Sequence, residues 1–179
     1  TQPNSGLGAA RNLGIALSRG RYVLPFDADD LLDPAFVERC VDVLEADPDV
    51  AYVTSWVEYV GEDGRPDPER LGAGFQAISN DSGMLDRVNA SGSALAVFRR
   101  ELFDELSYDT EMTSYEDWLF YRELRALGRH GHVIPERLIK YRIRDRSMMR
   151  QTGIPERERL HEEMEAHYRR RRVRWTATA

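Results

Sequence analysis

Residues Arg21 to Leu32 read RYVLPFDADDLL, and this stretch decides the fold prediction. A short apolar run leads directly into three aspartates, Asp27, Asp29 and Asp30. Carboxylates this close repel one another, and each loses solvation where the end of a strand is enclosed. Solvent, a structural partner or a divalent cation can offset that cost, and the aspartates alone leave the choice open.

The segments on either side of this stretch alternate between helical and extended patterns. Before it, AARNLGIALSRG repeats apolar residues at helical spacing. After it, Asp33 and Pro34 are typical of a helix start, and an alternating strand is predicted over Val50 to Val60. This strand–helix–strand order predicts a parallel sheet with crossover helices.

The second half of the chain contains two more helical patterns around an extended one. SYEDWLFYRELRALG, from Ser114 to Gly128, predicts an amphipathic helix. HGHVIPERLIKYRI, which follows it, predicts two short extended pieces. The last segment, IPERERLHEEMEAHYRRRRVRW, predicts a charged helix on which His161 and His167 are solvated.

Composition favours one domain that works inside the cell. The chain has 179 residues, of which 41% are hydrophobic, so it can bury a core. A net charge of −6 argues against a nucleic-acid partner. We expect a cytoplasmic protein, because Cys40 is the single cysteine and no signal-peptide pattern is visible. The basic cluster Arg169–Arg174 suits a helix end, or alternatively contact with a partner or the inner face of a membrane.

The position of the acidic stretch favours ligand binding. Open α/β sheets bind ligands beyond the carboxyl ends of their strands, and carboxylate oxygens suit Mg²⁺ or Mn²⁺ shared with substrate phosphates. Alternatively, Asp30 or Asp33 caps a helix and the other aspartates are solvated. An EF-hand loop starting at Asp27 is excluded, because Leu31 and Leu32 stand where an oxygen ligand and a glycine are required.

A longer pattern narrows the choice. The stretch NSGLGAARNLGIALSRGRYVLPFDADDLLDPAFVE, from Asn4 to Glu38, closely resembles family 2 glycosyltransferases of the GT-A fold. In that family, Gly-x-x-x-Ala-Arg-Asn-x-Gly precedes a strand that ends in Asp-x-Asp-Asp. GSALAVFRRELFDEL, SYEDWLFYRELRALG and ERLIKYRIRDRSMMR are similar to the family's pre-acceptor segment, Glu-Asp motif and closing strand with its loop. The resemblance implies an α/β fold, a GT-A (Rossmann-like) mixed sheet flanked by helices, over residues 1–150. Residues 151–179 are then a charged helix and tail.

The resemblance also implies a reaction and a site. An inverting transferase would move a sugar from a nucleoside diphosphate sugar to a hydroxyl of a saccharide or other acceptor, with Mn²⁺ or Mg²⁺. The implied site residues are the metal ligands Asp29 and Asp30, the donor-side residues Arg11, Asn12, Asp27 and Arg144, and the catalytic pair Asp117 and Glu116. Asp117 matches the family's general base. Arg144 stands where many relatives have histidine, so we expect it to face phosphate.

The family pattern is incomplete at the front of the sequence. The first nucleotide-binding βαβ unit of the family has no counterpart before Asn4, so we expect a fragment that binds donor weakly and turns over poorly. Exposed sheet edges would then favour a homo-oligomer. Two rival hypotheses remain, namely a sugar-nucleotide nucleotidyltransferase and a non-catalytic fragment with structural acids. A haloacid-dehalogenase-type phosphatase is disfavoured, because Lys140 follows the acidic pair Glu116-Asp117 where that family needs the reverse order.

Overall fold

A five-stranded mixed sheet lies at the centre of the computed structural model, which describes residues 2–144 and 154–176. Its strands are β1 Tyr22–Val23, β2 Leu31–Leu32, β3 Val50–Val60, β4 Val97–Arg99 and β5 His130–Arg142. The helices are α1 Leu7–Leu17, α2 Phe36–Ala46, α3 Pro68–Leu71, α4 Leu102–Glu105, α5 Glu116–Ala126 and α6 Ile154–Thr176, with a 3₁₀ turn at Gly83–Asp86. Across the sheet the strand order is β1-β4-β3-β5-β2.

The pairing of the strands differs from the sequence prediction. Only β3 and β5 run parallel, and the other three pairings are antiparallel. The expected parallel arrangement of β1 beside β3 is wrong, because β4 lies between them and pairs with both. The two extended pieces expected after α5 form one strand, whose register against β3 shifts between Ser55 and Trp56.

Two apolar layers cover the two faces of the sheet. On one face, Phe36, Cys40 and Leu44 of α2 are buried in a cluster that includes Val53 of β3. On the other face, the α5 side chains pack on Tyr52 and Phe98, and the Tyr52 and Tyr121 rings lie 5.0 Å apart. Full burial of one such large side chain stabilises the fold by about 1.5–3 kcal/mol. These layers fix α5 against the sheet.

Helix α6 packs against α5, and its residues Leu160, Met164 and Tyr168 are buried. The expectation that His167 is solvated is wrong, since its Nδ1 lies 2.9 Å from Oδ2 of buried Asp109. His161 is half-buried and its ring stacks on that of Trp118. No helix in the described ranges is long and apolar enough to cross a membrane. The loop expected at residues 145–150 and the side chain of Arg174 lie outside the described residues.

Candidate active site

Arg11 of α1 joins two acidic segments that are distant in sequence. Its Nη2 donates to Oδ1 and Oδ2 of Asp27 at 3.0 and 3.2 Å, and its Nη1 donates to Oε1 of Glu116. Burial lowers the pKa of the guanidinium, but the charges of Asp27 and Glu116 more than offset this and raise the pKa above its ordinary value. Arginine suits this position because its fork of donors reaches two carboxylates at once. The acidic loop and the start of α5 therefore meet at one guanidinium.

Arg11 reaches both carboxylates because the backbone of α1 lies very close to the backbone of Asp109. A Cβ on Gly8 would lie 2.2 Å from the carbonyl oxygen of Asp109, so only glycine lets α1 pack this tightly. One turn along, the Asn12 side chain bonds the backbone of Tyr108 twice, with Nδ2 donating to the carbonyl at 2.8 Å and Oδ1 accepting from the amide at 2.9 Å. Arg11 also lies over the Tyr108 ring, 5.4 Å from its centroid. These contacts fix the rotation of α1.

Asp117 is the carboxylate of the pair that has no cation partner among the described residues. Its Oδ1 accepts the backbone N–H of Trp118 at 2.7 Å and lies 3.4 Å from Nδ2 of Asn89. Burial, and secondly the charge of Glu116, raise the pKa of Asp117 above the ordinary value for a carboxyl. Glu116 itself is tied to Arg11. A carboxyl whose pKa is raised towards neutrality can accept a proton, which makes Asp117 a candidate general base.

The residue before this pair has an unusual backbone. Tyr115 is the single non-glycine residue of the described chain with a positive φ, at 64°. A left-handed conformation costs a residue with a Cβ about 1–2 kcal/mol, and such strain concentrates at functional sites. The turn directs the start of α5 so that Glu116 and Asp117 face the same cavity as Tyr115. This strain is an independent structural mark of a site.

The acidic loop places its three aspartates differently. Asp27 is bound by Arg11. Asp30 is buried, and its Oδ1 accepts the backbone N–H of Arg142 at 2.9 Å, which attaches the loop to the end of β5. The Asp29 side chain remains 42% exposed at the rim, with Oδ2 3.6 Å from Nη2 of Arg144. Asp29 is thus the accessible carboxylate of the three.

The residues fit a divalent cation with Asp29 as the direct ligand. Within residues 2–144 and 154–176, no group of three or more His, Cys, Asp or Glu side chains forms a metal cluster. Magnesium-type sites nevertheless need only one or two carboxylates, because substrate phosphates and waters complete the shell. Burial raises the pKa of Asp30 to about 6, and its Oδ2 is buried without a hydrogen-bond partner. A nearby cation would stabilise that carboxylate.

Two cavities meet at Arg11, Asp27 and Tyr141, which line both. The larger, about 800 Å³, runs along α1 and β1 and ends at Asp29 and Arg144. The smaller, about 520 Å³, is bounded by Asp117, Asn89 and an aromatic wall. That wall consists of Tyr59, Phe75, Tyr115 and Tyr141. The volumes match those of small-molecule binding sites.

The structure brings together most of the residues that the sequence pattern named. Arg11, Asp27, Asp29 and Arg144 line the larger cavity, and Glu116 and Asp117 line the smaller one. Asn12 lines neither, and the Asp30 carboxyl faces β5. Sequence reasoning missed Asn89 and Arg142. Asn89 lies in a segment without periodicity, and Arg142 resembled an ordinary strand residue.

The chain is similar to known proteins in sequence and to solved structures in fold. S. aureus TarS in complex with UDP-GlcNAc superimposes with a TM-score of 0.62 at 17% identity, over 86% of this chain and 44% of that chain. The Bacillus subtilis protein YwdF, described as an uncharacterized glycosyltransferase, is 32% identical over 127 residues, 70% of this chain and 46% of that protein. An Escherichia coli UDP-Gal:alpha-D-GlcNAc-diphosphoundecaprenol beta-1,3-galactosyltransferase is 25% identical over 167 residues, 86% of this chain and 55% of that protein.

The mixed sheet with its flanking helices is the GT-A fold of TarS, which confirms the predicted fold class. The model of glycosyl transferase family 2 matches residues 1–107. The chain belongs to that family, as the sequence pattern predicted. It spans about half the length of the curated relatives it matches.

Proposed function

We propose that the chain takes part in transfer of a sugar from a nucleoside diphosphate sugar to an acceptor hydroxyl, with inversion at the anomeric carbon. The observation that carries the proposal is the bridge from Asp27 through Arg11 to Glu116, which brings Asp117 beside the acidic loop. Family membership and the UDP-GlcNAc complex of TarS support the donor class. The two adjoining cavities support one site for the donor and one for the acceptor.

The proposed mechanism assigns one proton transfer to Asp117. Its carboxylate takes the proton of the acceptor hydroxyl as that oxygen attacks the anomeric carbon. The bond from the anomeric carbon to the diphosphate oxygen breaks, and its electron pair leaves with the nucleoside diphosphate. Attack from the face opposite the leaving group, with no covalent enzyme intermediate, inverts the configuration.

The other residues bind, orient and balance charge. Arg11 holds Asp27 and Glu116 in place, so Asp117 is the carboxylate left to accept the proton. Arg144, on the rim beside Asp29, can turn its guanidinium to the diphosphate. A Mn²⁺ or Mg²⁺ ion held by Asp29 would act as a Lewis acid for the leaving diphosphate. The exposed arginines Arg169 and Arg170 of α6 offer charge for contact with an anionic membrane surface.

Donor cleavage by the chain tests this function without knowledge of the acceptor. With UDP-GlcNAc and Mn²⁺, water replaces the acceptor, and we expect slow formation of UDP with the β anomer of the sugar first seen by NMR. Asp117→Asn should lower the rate by about 10²–10⁴-fold, because base catalysis contributes that much. Asp29→Asn should remove the dependence on Mn²⁺.

The outcomes separate the rival functions. Asp42→Asn, on the exposed face of α2, is the matched control and should keep the wild-type rate. Formation of UMP and GlcNAc 1-phosphate instead of UDP would indicate nucleotidyl transfer, because water would then attack the phosphorus next to the nucleoside. Unchanged rates in both Asp29→Asn and Asp117→Asn would contradict the assigned roles. The absence of UDP formation from UDP-GlcNAc, UDP-glucose and UDP-galactose would contradict the proposal for this chain.

A further inference from the structure

Arg142 contacts three backbone carbonyl groups beside a further cavity, which it lines together with Asp29, Glu62 and Arg144. Its Nε donates to the carbonyl of Asp29 at 2.6 Å, and its Nη1 donates to that of Gly61 at 3.2 Å and to that of Glu62. The backbone N–H of Arg142 donates to Oδ1 of Asp30. One residue at the end of β5 therefore joins the acidic loop to the turn that follows β3.

The turn after β3 lies against the guanidinium of the same residue. The backbone amide of Ile143 donates to Val60 at 2.8 Å, and the turn closes when Gly61 N–H donates to the carbonyl of Arg65 at 2.9 Å. Gly64 has a φ of 78°, and a Cβ there would lie 3.8 Å from the guanidinium of Arg142. The turn thus folds over the guanidinium, and its carbonyls face a cation in place of water.

An arginine is required for this set of contacts. The planar guanidinium presents five N–H donors in a fixed fork, so it can serve carbonyls from two loops at once. A lysine ammonium reaches fewer of them and keeps a larger hydration demand. The acceptors are backbone atoms at the cavity rim, which indicates that Arg142 determines the loop path there.

We propose that Arg142 is a positioning residue, which fixes the acidic loop against the turn at residues 61–65 and thereby sets the affinity of Asp29 for a divalent cation. Arg142 acts through Asp29 and Asp30 and does not itself bind the cation. The metal part rests on the proposed function. Groups that orient metal ligands typically change metal affinity by about 10- to 100-fold when they are replaced.

Two measurements on the full chain test the proposal. Mn²⁺ affinity is followed by the paramagnetic resonance signal of free Mn²⁺, and backbone hydrogen exchange is followed by mass spectrometry. In Arg142→Gln we expect Mn²⁺ affinity to fall by about 10- to 100-fold. Exchange should rise together in residues 27–32 and 60–65 and stay unchanged elsewhere. Arg142→Lys should recover only part of both properties.

A matched control and a separate test of the metal ligand complete the design. Arg39→Gln removes an arginine that pairs with exposed Glu136, and it should leave both measurements unchanged. Asp29→Asn should abolish Mn²⁺ binding. If the wild-type chain itself binds no Mn²⁺, the metal part of the proposed function fails, and exchange alone decides whether Arg142 fixes the two loops.

Three results would overturn the inference. The first is wild-type Mn²⁺ affinity together with wild-type exchange in Arg142→Gln. The second is full recovery by Arg142→Lys, which would show that charge suffices. The third is faster exchange throughout the chain in Arg142→Gln, which would give Arg142 a general stabilising role in place of a local one.

Discussion

At the scale of the residue, Arg11 determines what each carboxylate of the cleft can do. Its side chain is 7% exposed and is paired with both Asp27 and Glu116. Truncating one partner of a buried pair leaves an uncompensated charge, so these three residues depend on one another. Asp117 lies outside the pairing, and burial, followed by the negative charge of Glu116, raises its pKa.

The charge of Glu116 gives a pH-dependent prediction. Because that charge helps to raise the pKa of Asp117, Glu116→Gln should lower that pKa. A general base acts in its ionised form, so the rate of UDP formation rises with pH through the pKa of Asp117. In the variant this rising limb should move to lower pH. The measurement is the rate at limiting UDP-GlcNAc from about pH 5 to about pH 9.

The control for that profile is Glu101→Gln, which neutralises an exposed carboxyl at the start of α4. It should leave the rising limb where the wild-type protein has it. A limb that does not move in Glu116→Gln would mean that another group provides the base.

Sequence motifs predicted which residue types form the site better than they predicted where each side chain points. Arg11 and Asn12 are neighbours in one motif, yet successive helical side chains point about 100° apart. Arg11 reaches the acids, whereas Asn12 bonds the Tyr108 backbone. The motif gives the spacing, but the rotation of α1 depends on its packing against a segment almost a hundred residues away. Tertiary packing of this kind is not encoded locally.

At the scale of the element, the close approach of α1 provides a stability prediction. Gly8→Ala would place a Cβ 2.2 Å from the Asp109 carbonyl oxygen, so the helix must shift. We expect a loss of about 1–3 kcal/mol in the free energy of unfolding, as for other overpacked sites. Urea unfolding followed by tryptophan fluorescence measures it.

The same helix contains its own control. A Cβ on Gly14 would meet no atom within 4 Å, so Gly14→Ala should stabilise α1 by about 0.5–1 kcal/mol. Equal effects of the two substitutions would contradict the close approach. The family pattern Gly-x-x-x-Ala-Arg-Asn-x-Gly includes Gly14 but leaves the position of Gly8 unspecified. The need for glycine at Gly8 was not visible in the sequence, because its partner Asp109 comes from a distant segment.

The order of the strands in the sheet also could not be predicted from local sequence patterns. The sequence correctly predicted β3 over Val50–Val60, because β-branched and aromatic residues dominate this stretch, although residues 51–55 are all buried and their burial does not alternate. The two-residue strand β1 is too short to show a period, and nothing in its sequence indicates that β4 separates it from β3. Pairing between segments far apart in the chain decides this arrangement.

At the scale of the whole molecule, α6 is attached to α5 by charged side chains as well as apolar contacts. Arg171 contacts Glu123 of α5, and its Nη1 lies 3.4 Å from Oδ2 of Asp109. Arg122 of α5 lies 4.0 Å above the Tyr168 ring and pairs with Glu165. The many charged residues of α6 predicted a solvated helix. Some of these side chains instead lie in the interface, because they pair there with buried side chains of opposite charge.

Glu123 makes the stability of this interface depend on pH. The side chain is 1% exposed, and burial raises its pKa from 4.5 to about 8, although Arg171 opposes the shift. The folded state therefore holds a proton that the unfolded chain releases at lower pH. The resulting stabilisation is complete below about pH 4.5 and is lost as pH rises through about 8, at up to about 1.4 kcal/mol per pH unit.

Glu123→Gln stays neutral, so its unfolding free energy should lack this decline. Urea unfolding from about pH 5 to about pH 8 compares the proteins, with Glu165→Gln as the control at the same interface. Parallel pH curves for the wild-type protein and Glu123→Gln would contradict a protonated Glu123, because the buried ion pair with Arg171 would then persist throughout this range.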